Sequence, residues 1–237
     1  MMAPKVIFEG TSFLVLAKPA GWVVNRAETT KGQETIQDWL EANFQFSIFN
    51  FKNCRSGVVH RLDKETSGLL LIAKTPEAFT NLQKQFKERL VVKRYLTLVH
   101  GQIQPEEGEI TAAIARSPFN RKKFGVFLGG RESVTNYKVI SYQLSVIGGK
   151  KQDFSLVEVT PKTGRTHQIR VHFKYVGHPV VGDEVYGGRK AARSDRQWCG
   201  RQFLHASYLA FFNPETGEKV AFTSPLPEDL AAVMKNF

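Results

Sequence analysis

The sequence predicts an α+β fold with a mixed, mainly antiparallel central sheet flanked by helices and loops. Three observations carry that expectation. Segments with strand periodicity outnumber those with helical periodicity. Several strand-like segments follow one another with only a turn between them, which suits antiparallel pairing better than repeated βαβ units. No internal repeat, low-complexity tract or composition shift marks a linker, so one domain over residues 1–237, with two lobes, accommodates the pattern.

Val6 to Glu9 and Phe13 to Lys18 read as two strands joined at Gly10-Thr11-Ser12, and Lys18-Pro19-Ala20-Gly21 ends the second. Thr35 to Asn43 places Ile36, Trp39 and Leu40 on one face of a short helix. Gly68 to Ala73 is an unbroken apolar run, as expected of a strand buried on both faces. The clearest helix follows: Thr75 is the N-cap, Pro76 takes the first helical position, and Phe79, Leu82, Phe86 and Leu90 form a stripe. Strands are expected at Val91 to His100, Glu109 to Ala115, Val134 to Ser141 and Phe154 to Thr160. Thr166 to Tyr175 reads as a helix with Ile169, Phe173 and Val176 on its apolar side and His167, Arg170 and Lys174 on other faces. The chain then offers a strand at Leu204 to Phe212, a turn at Asn213 to Gly217, a strand at Lys219 to Thr223 and a helix after Pro227.

Of the 237 residues, 42% are hydrophobic and 23% charged, which are ordinary values for a folded, water-soluble protein. No apolar run reaches the roughly 18 residues needed to span a bilayer, so no membrane partner is expected. The net charge of +11 is unusual and favours a polyanionic partner, nucleic acid first among them. The excess concentrates at Arg121-Lys122-Lys123 and from Arg189 to Arg201, both read as basic loops. Cys54 and Cys199 stand alone and form no zinc framework. The first residues lack a secretory signal, so a reducing, cytoplasmic home is expected.

Phosphate-binding glycine loops, the dinucleotide fingerprint and the nucleophile elbow are all missing, and His167 and His172 lack zinc-protease spacing. No cofactor and no metal is expected. Two dense polar segments remain. His60-Arg61-Leu62-Asp63-Lys64-Glu65-Thr66-Ser67-Gly68 stands immediately before the buried-strand pattern. There Asp63 either anchors a turn or serves as a reactive carboxylate needing a cation to stay ionised. Thr160 to His172 runs from a strand end through Gly164 and Arg165 into a helix, a place suited to an anion or simply to a capped helix start.

The segment from His60 to Lys74 resembles the catalytic motif of the RluA-type RNA pseudouridine synthases. Lys18-Pro19-Ala20-Gly21 resembles the family's first motif. Lys93-Arg94-Tyr95-Leu96 is similar to its tyrosine-bearing strand, and Pro161 to Arg170 to its third motif. Gly177 to Gly187 and Leu204-His205-Ala206 continue in family order.

The resemblance implies a bilobed pseudouridine synthase fold and isomerisation of uridine to pseudouridine in ribosomal or transfer RNA, with no cofactor. Asp63 would be the catalytic aspartate, acting on base or sugar or removing a ribose proton. Tyr95 would stack on the flipped base and move a proton at C5, and Arg165 would pair with the aspartate. Ile169 would pack under the uracil, and Arg61 would fill the space the flipped nucleotide leaves. The basic clusters would hold phosphates, while His167, His172, His178 and His205 would be structural or phosphate-facing. Lys18 comes so early that no amino-terminal S4 RNA-binding domain is expected, and no obligate protein partner is evident, so a monomer is expected. Two rivals are a catalytically silent RNA binder on the same scaffold and a metal-dependent nuclease using Asp63, Asp183 and the histidines.

Overall fold

Antiparallel strand pairing organises the backbone. The computed structural model describes residues 2–121, 123–147, 150–235 and 237. In chain order the elements are β1 (Lys5–Glu9), β2 (Phe13–Lys18), α1 (Ile36–Asn43), β3 (Ser67–Ala73), α2 (Pro76–Lys87), β4 (Val92–His100), β5 (Glu107–Thr111) and β6 (Ile114–Arg116). There follow β7 (Phe124–Val126), β8 (Val134–Ile147), β9 (Lys150–Pro161), α3 (Gln168–Tyr175), α4 (Arg189–Asp195), β10 (Leu204–Phe212), β11 (Lys219–Thr223) and α5 (Glu228–Met234). The chain divides into two compact units, residues 1–93 with 206–224 and residues 94–205 with 225–237.

In the first unit the strand order is β1-β2-β3-β10, with β11 on β10. β1 and β2 pair antiparallel around the Gly10 turn, where the Gly10 amide donates to the Phe13 carbonyl at 2.9 Å. All seven residues of β3 are buried, as its uninterrupted apolar sequence requires. The Thr35 hydroxyl accepts from the Asp38 amide while the Asp38 carboxylate accepts from the Thr35 amide, a reciprocal cap that starts α1. Thr75 caps α2 by accepting from the Ala78 amide at 3.2 Å, with Pro76 opening the helix. The predicted stripe on α2 is one residue too long. The helix stops at Lys87, the chain reverses through Arg89 at φ 60°, and Leu90 is left 42% exposed.

In the second unit the order is β4-β9-β8-β5, all antiparallel. β8 and β9 run further than the apolar pattern indicates, because their outer halves pair through mixed residues such as Leu144 with Asp153 and Ser145 with Gln152. The strand expected over 109–115 is broken: β5 ends at Thr111, and β6 begins at Ile114 to pair with β7 instead. The Arg189–Arg201 stretch is not a loop, since α4 occupies its first seven residues. Helix α3 buries Ile169 and Phe173 as expected, but Val176 caps it and is exposed. Arg170, on another face, is buried as well.

Gly68 is one of the glycines fixed by close approach. Gly68 has φ 116°, and a Cβ there would lie 2.2 Å from the Ala206 carbonyl oxygen. Both the backbone angle and the contact exclude a side chain. Gly68→Ala is expected to lower unfolding stability by roughly 2–4 kcal/mol in urea titrations. Wild-type stability in that variant would contradict the packing described.

Candidate active site

In the first unit the loop carrying Asp63 is held at both ends. Lys18 is 1% exposed, and its ammonium donates to the carbonyls of Pro19 at 2.9 Å, Trp22 at 3.0 Å and Lys64 at 3.1 Å. An ammonium has three protons and is costly to bury without partners, so these contacts fix the loop as they satisfy the charge. The Gly21 amide donates to the same Lys64 carbonyl at 2.9 Å, and the Thr66 amide closes a turn onto the Asp63 carbonyl at 3.1 Å. The sequence Lys18-Pro19-Ala20-Gly21 is therefore a cradle for the residue after Asp63.

At the other end His60 is pinned. Its Nε2 accepts from the Leu71 amide of β3 at 2.9 Å, and its ring stacks on Phe86 of α2 with centroids 5.0 Å apart. An imidazole accepts only when neutral. Burial, reinforced by the nearby Lys93 charge, pushes the His60 pKa down to about 3. Burial also lowers the pKa of Lys93, whose ammonium lies 5.7 Å from the Phe86 ring centroid. Between these anchors Leu62 is buried, Arg61 is exposed and Asp63 is half-buried.

Tyr95, Arg165 and Ile169 belong to the second unit. Tyr95 stands opposite Val159 on the β4–β9 pair and packs, half-buried, against an apolar cluster that includes Ile169, Phe173 and Val159. Tyr95 and Ile169 thus share one cluster, which gives the phenol a rigid seat. Neighbouring Arg94 lies 3.7 Å from Glu158.

The turn bearing Arg165 is organised by a residue the sequence reading passed over. Gln168, the first residue of α3, is buried. Its Oε1 accepts from the Thr163 hydroxyl at 2.7 Å and the Arg165 amide at 3.0 Å. Its Nε2 donates to the Val134 carbonyl at 3.0 Å and the Thr135 hydroxyl at 2.9 Å. Two acceptor and two donor sites are filled, so the amide locks the turn to β8 in one orientation. Arg165 is half-buried, and its Nη2 reaches the Glu132 carbonyl at 3.5 Å. Its Nε is shielded from water and has no hydrogen-bond partner among the described residues. A shielded guanidinium donor left unmatched is costly and suits an anion at that place.

Several other polar residues of this unit have internal partners. Asp183 is fully buried and accepts from Arg170 at 2.7 and 3.0 Å and from the amides of Val185 and Tyr186. Its oxygens are thereby committed, which removes it from any metal-ligand set. His167, at φ 56°, bonds the Tyr186 hydroxyl through Nδ1 at 2.8 Å. His172 reaches the Ala112 carbonyl at 3.3 Å, and His178 the His100 carbonyl at 2.8 Å. His205 is buried. Among the described residues no group of three or more His, Cys, Asp or Glu side chains could hold a metal ion.

The basic clusters are only partly surface. Arg201 is buried and pairs with Asp229 at 2.6 Å, so it is not a phosphate holder, and Arg196 pairs with Glu184 at 3.0 Å. Arg189, Lys190 and Arg193 of α4 are exposed, as are Arg121 and Lys123; Lys122 lies outside the described residues.

The chain belongs to the RNA pseudouridylate synthase family, whose model matches residues 12–175. An uncharacterized RNA pseudouridine synthase of Bacillus subtilis is 39% identical over 98% of this chain and 72% of its own length. The ribosomal large subunit pseudouridine synthase D of Neisseria meningitidis serogroup A is 39% identical over 97% of this chain and 60% of its own. The chain therefore spans 60% and 72% of the length of these two relatives. The solved structure of human RNA Pseudouridylate Synthase Domain Containing 1 superposes with TM-score 0.75 at 32% identity, covering 98% of this chain and 87% of that one. Human RNA Pseudouridylate Synthase Domain Containing 4 shares the fold, with TM-score 0.73 at 22% identity.

The His60 clamp has a pH signature. The unfolded chain binds a proton on His60 near the ordinary value of 6.5, whereas the folded protein does so only near 3. Stability is complete above the first value and is lost as pH falls below it, by at most about 1.4 kcal/mol per pH unit. In His60→Gln the loss of unfolding free energy between about pH 7 and pH 5 is expected to shrink by about 2 kcal/mol. An unchanged pH dependence in chemical denaturation would contradict the neutral, accepting imidazole.

Proposed function

We propose that this chain converts specific uridines of RNA to pseudouridine, with ribosomal RNA the first substrate to test and transfer RNA the second. The glycosidic bond from ribose C1′ to uracil N1 breaks, the base turns, and C1′ bonds to C5. The C5 proton is lost and N1 gains one, so the reaction balances without an external reagent or a cofactor.

Asp63 is the catalytic carboxylate, whether it attacks base or sugar or takes a ribose proton. Arg165 is the cationic partner of the reaction, in keeping with its unmatched, shielded Nε. Tyr95 faces the base and moves the C5 proton, with Ile169 beneath the uracil in the cluster the two residues share. Arg61, exposed two residues before the carboxylate, fills the place of the flipped nucleotide. The catalytic domain covers 1–237 and acts as a cytoplasmic monomer. No helix among the described residues is long and apolar enough to cross a membrane. The ribosomal reading is supported by the name of the Neisseria relative.

The observation that carries the reading is the ordered set of family motifs, with the clamped Asp63 loop at its centre. A silent RNA binder on this scaffold would need neither the clamp nor the unmatched arginine. Site-resolved pseudouridine mapping of total RNA from cells with and without this protein tests it. One or more ribosomal or transfer RNA sites are expected to vanish with the protein and return when it is restored. An identical map in both cells, with no conversion by the purified chain, would favour the silent binder.

A further inference from the structure

The hairpin β6–β7 carries a feature that the proposed reaction does not use. Residues 112–131 contain five cations, Arg116, Arg121, Lys122, Lys123 and Arg131, and no Asp or Glu. At the tip of this carboxylate-free stretch Phe119 is 92% exposed. A lone exposed apolar side chain is common and says little by itself. Here the ring belongs to a stretch of sequence with one charge sign, on a tip with its own hydrogen bonds.

The Ser117 amide donates to the Lys123 carbonyl at 2.9 Å, and the Lys123 amide to the Asn120 carbonyl at 2.9 Å. The Ser117 hydroxyl accepts from the amides of Phe119 at 3.3 Å and Asn120 at 3.2 Å. Arg116 donates to the Arg121 carbonyl at 2.7 Å while its guanidinium lies over the Phe124 ring at 5.1 Å. These contacts brace the described residues of the tip, which lowers the ordering entropy of presenting the ring to a partner.

We propose that Phe119 is a base-stacking contact: the hairpin tip docks on single-stranded RNA, with the ring against an unpaired base and Arg121 and Lys123 on the flanking phosphates. An aromatic ring among cations is the combination that single-stranded nucleic acid selects, since each nucleotide offers a flat face and a negative charge. An acidic protein surface would use the cations but leave the ring in water. The inference rests on RNA as the substrate class of the proposed function and names a recognition element for it.

The test is binding of the full chain to two probes at several salt concentrations. One is a twelve-nucleotide single-stranded RNA of mixed sequence; the other has the same phosphates but abasic central residues. Wild type is expected to prefer the base-bearing strand by about tenfold. Phe119→Ala should abolish that preference, leave the salt slope and melting temperature unchanged, and spare the abasic strand. Arg121→Ala should weaken both strands alike and reduce the salt slope by about one. Phe119→Trp should keep the preference. Equal binding of both strands by wild type, or a Phe119→Ala variant that retains the preference or weakens both strands alike, would overturn the stacking contact. Such a result would leave the mapped pseudouridine sites, and with them the proposed reaction, untouched. Loss of all conversion with the strand preference intact would remove the reaction and keep the contact. Failure of wild type to bind either strand would likewise overturn the contact.

Discussion

The Lys64 carbonyl is the point on which the candidate site depends. A buried ammonium and a backbone amide both donate to it, and the residue before it is Asp63. Lys18 is shielded from water, and its ammonium donates to three carbonyls, two of which come from its own turn. The third ties that turn to the Asp63 loop across 46 residues of chain. Because an unmet buried charge is costly, the arrangement resists deformation from either side. Chemistry that tolerates only small displacement of a reacting oxygen needs a carboxylate carried on such a loop.

The second unit solves a similar problem without charge. Gln168 uses a neutral amide with two donors and two acceptors satisfied to hold the turn of Arg165 against β8. The ion pair of Arg170 with Asp183 lies two residues further on and is consumed internally. Arg165 and Arg170 are five residues apart and serve opposite ends. Burial with a carboxylate partner makes one structural, whereas the other has a shielded Nε with no partner among the described residues.

Much of the fold was legible because its signals are local. Thr75-Pro76 starts α2 by cap and ring geometry, and the apolar run from Gly68 to Ala73 suits the buried strand it forms. The candidate residues were legible from motif order. What escaped depends on partners distant in sequence. Gln168 is committed by Val134, 34 residues away, and Arg201 is withdrawn from the basic surface by Asp229, 28 residues away. Leu90 fits the helical stripe in sequence, but the left-handed turn at Arg89 removes it. The outer halves of β8 and β9 pair through residues whose mixed polarity hides them from periodicity.

The central claim is that the carboxylate on the clamped loop performs the isomerisation. The most direct measurement compares the purified chain with Asp63→Asn on RNA from cells lacking the protein, reading bound RNA and pseudouridine formed in the same samples. The account predicts RNA affinity within about twofold of wild type and conversion lower by at least about three orders of magnitude. Conversion by Asp63→Asn at the wild-type rate would contradict it.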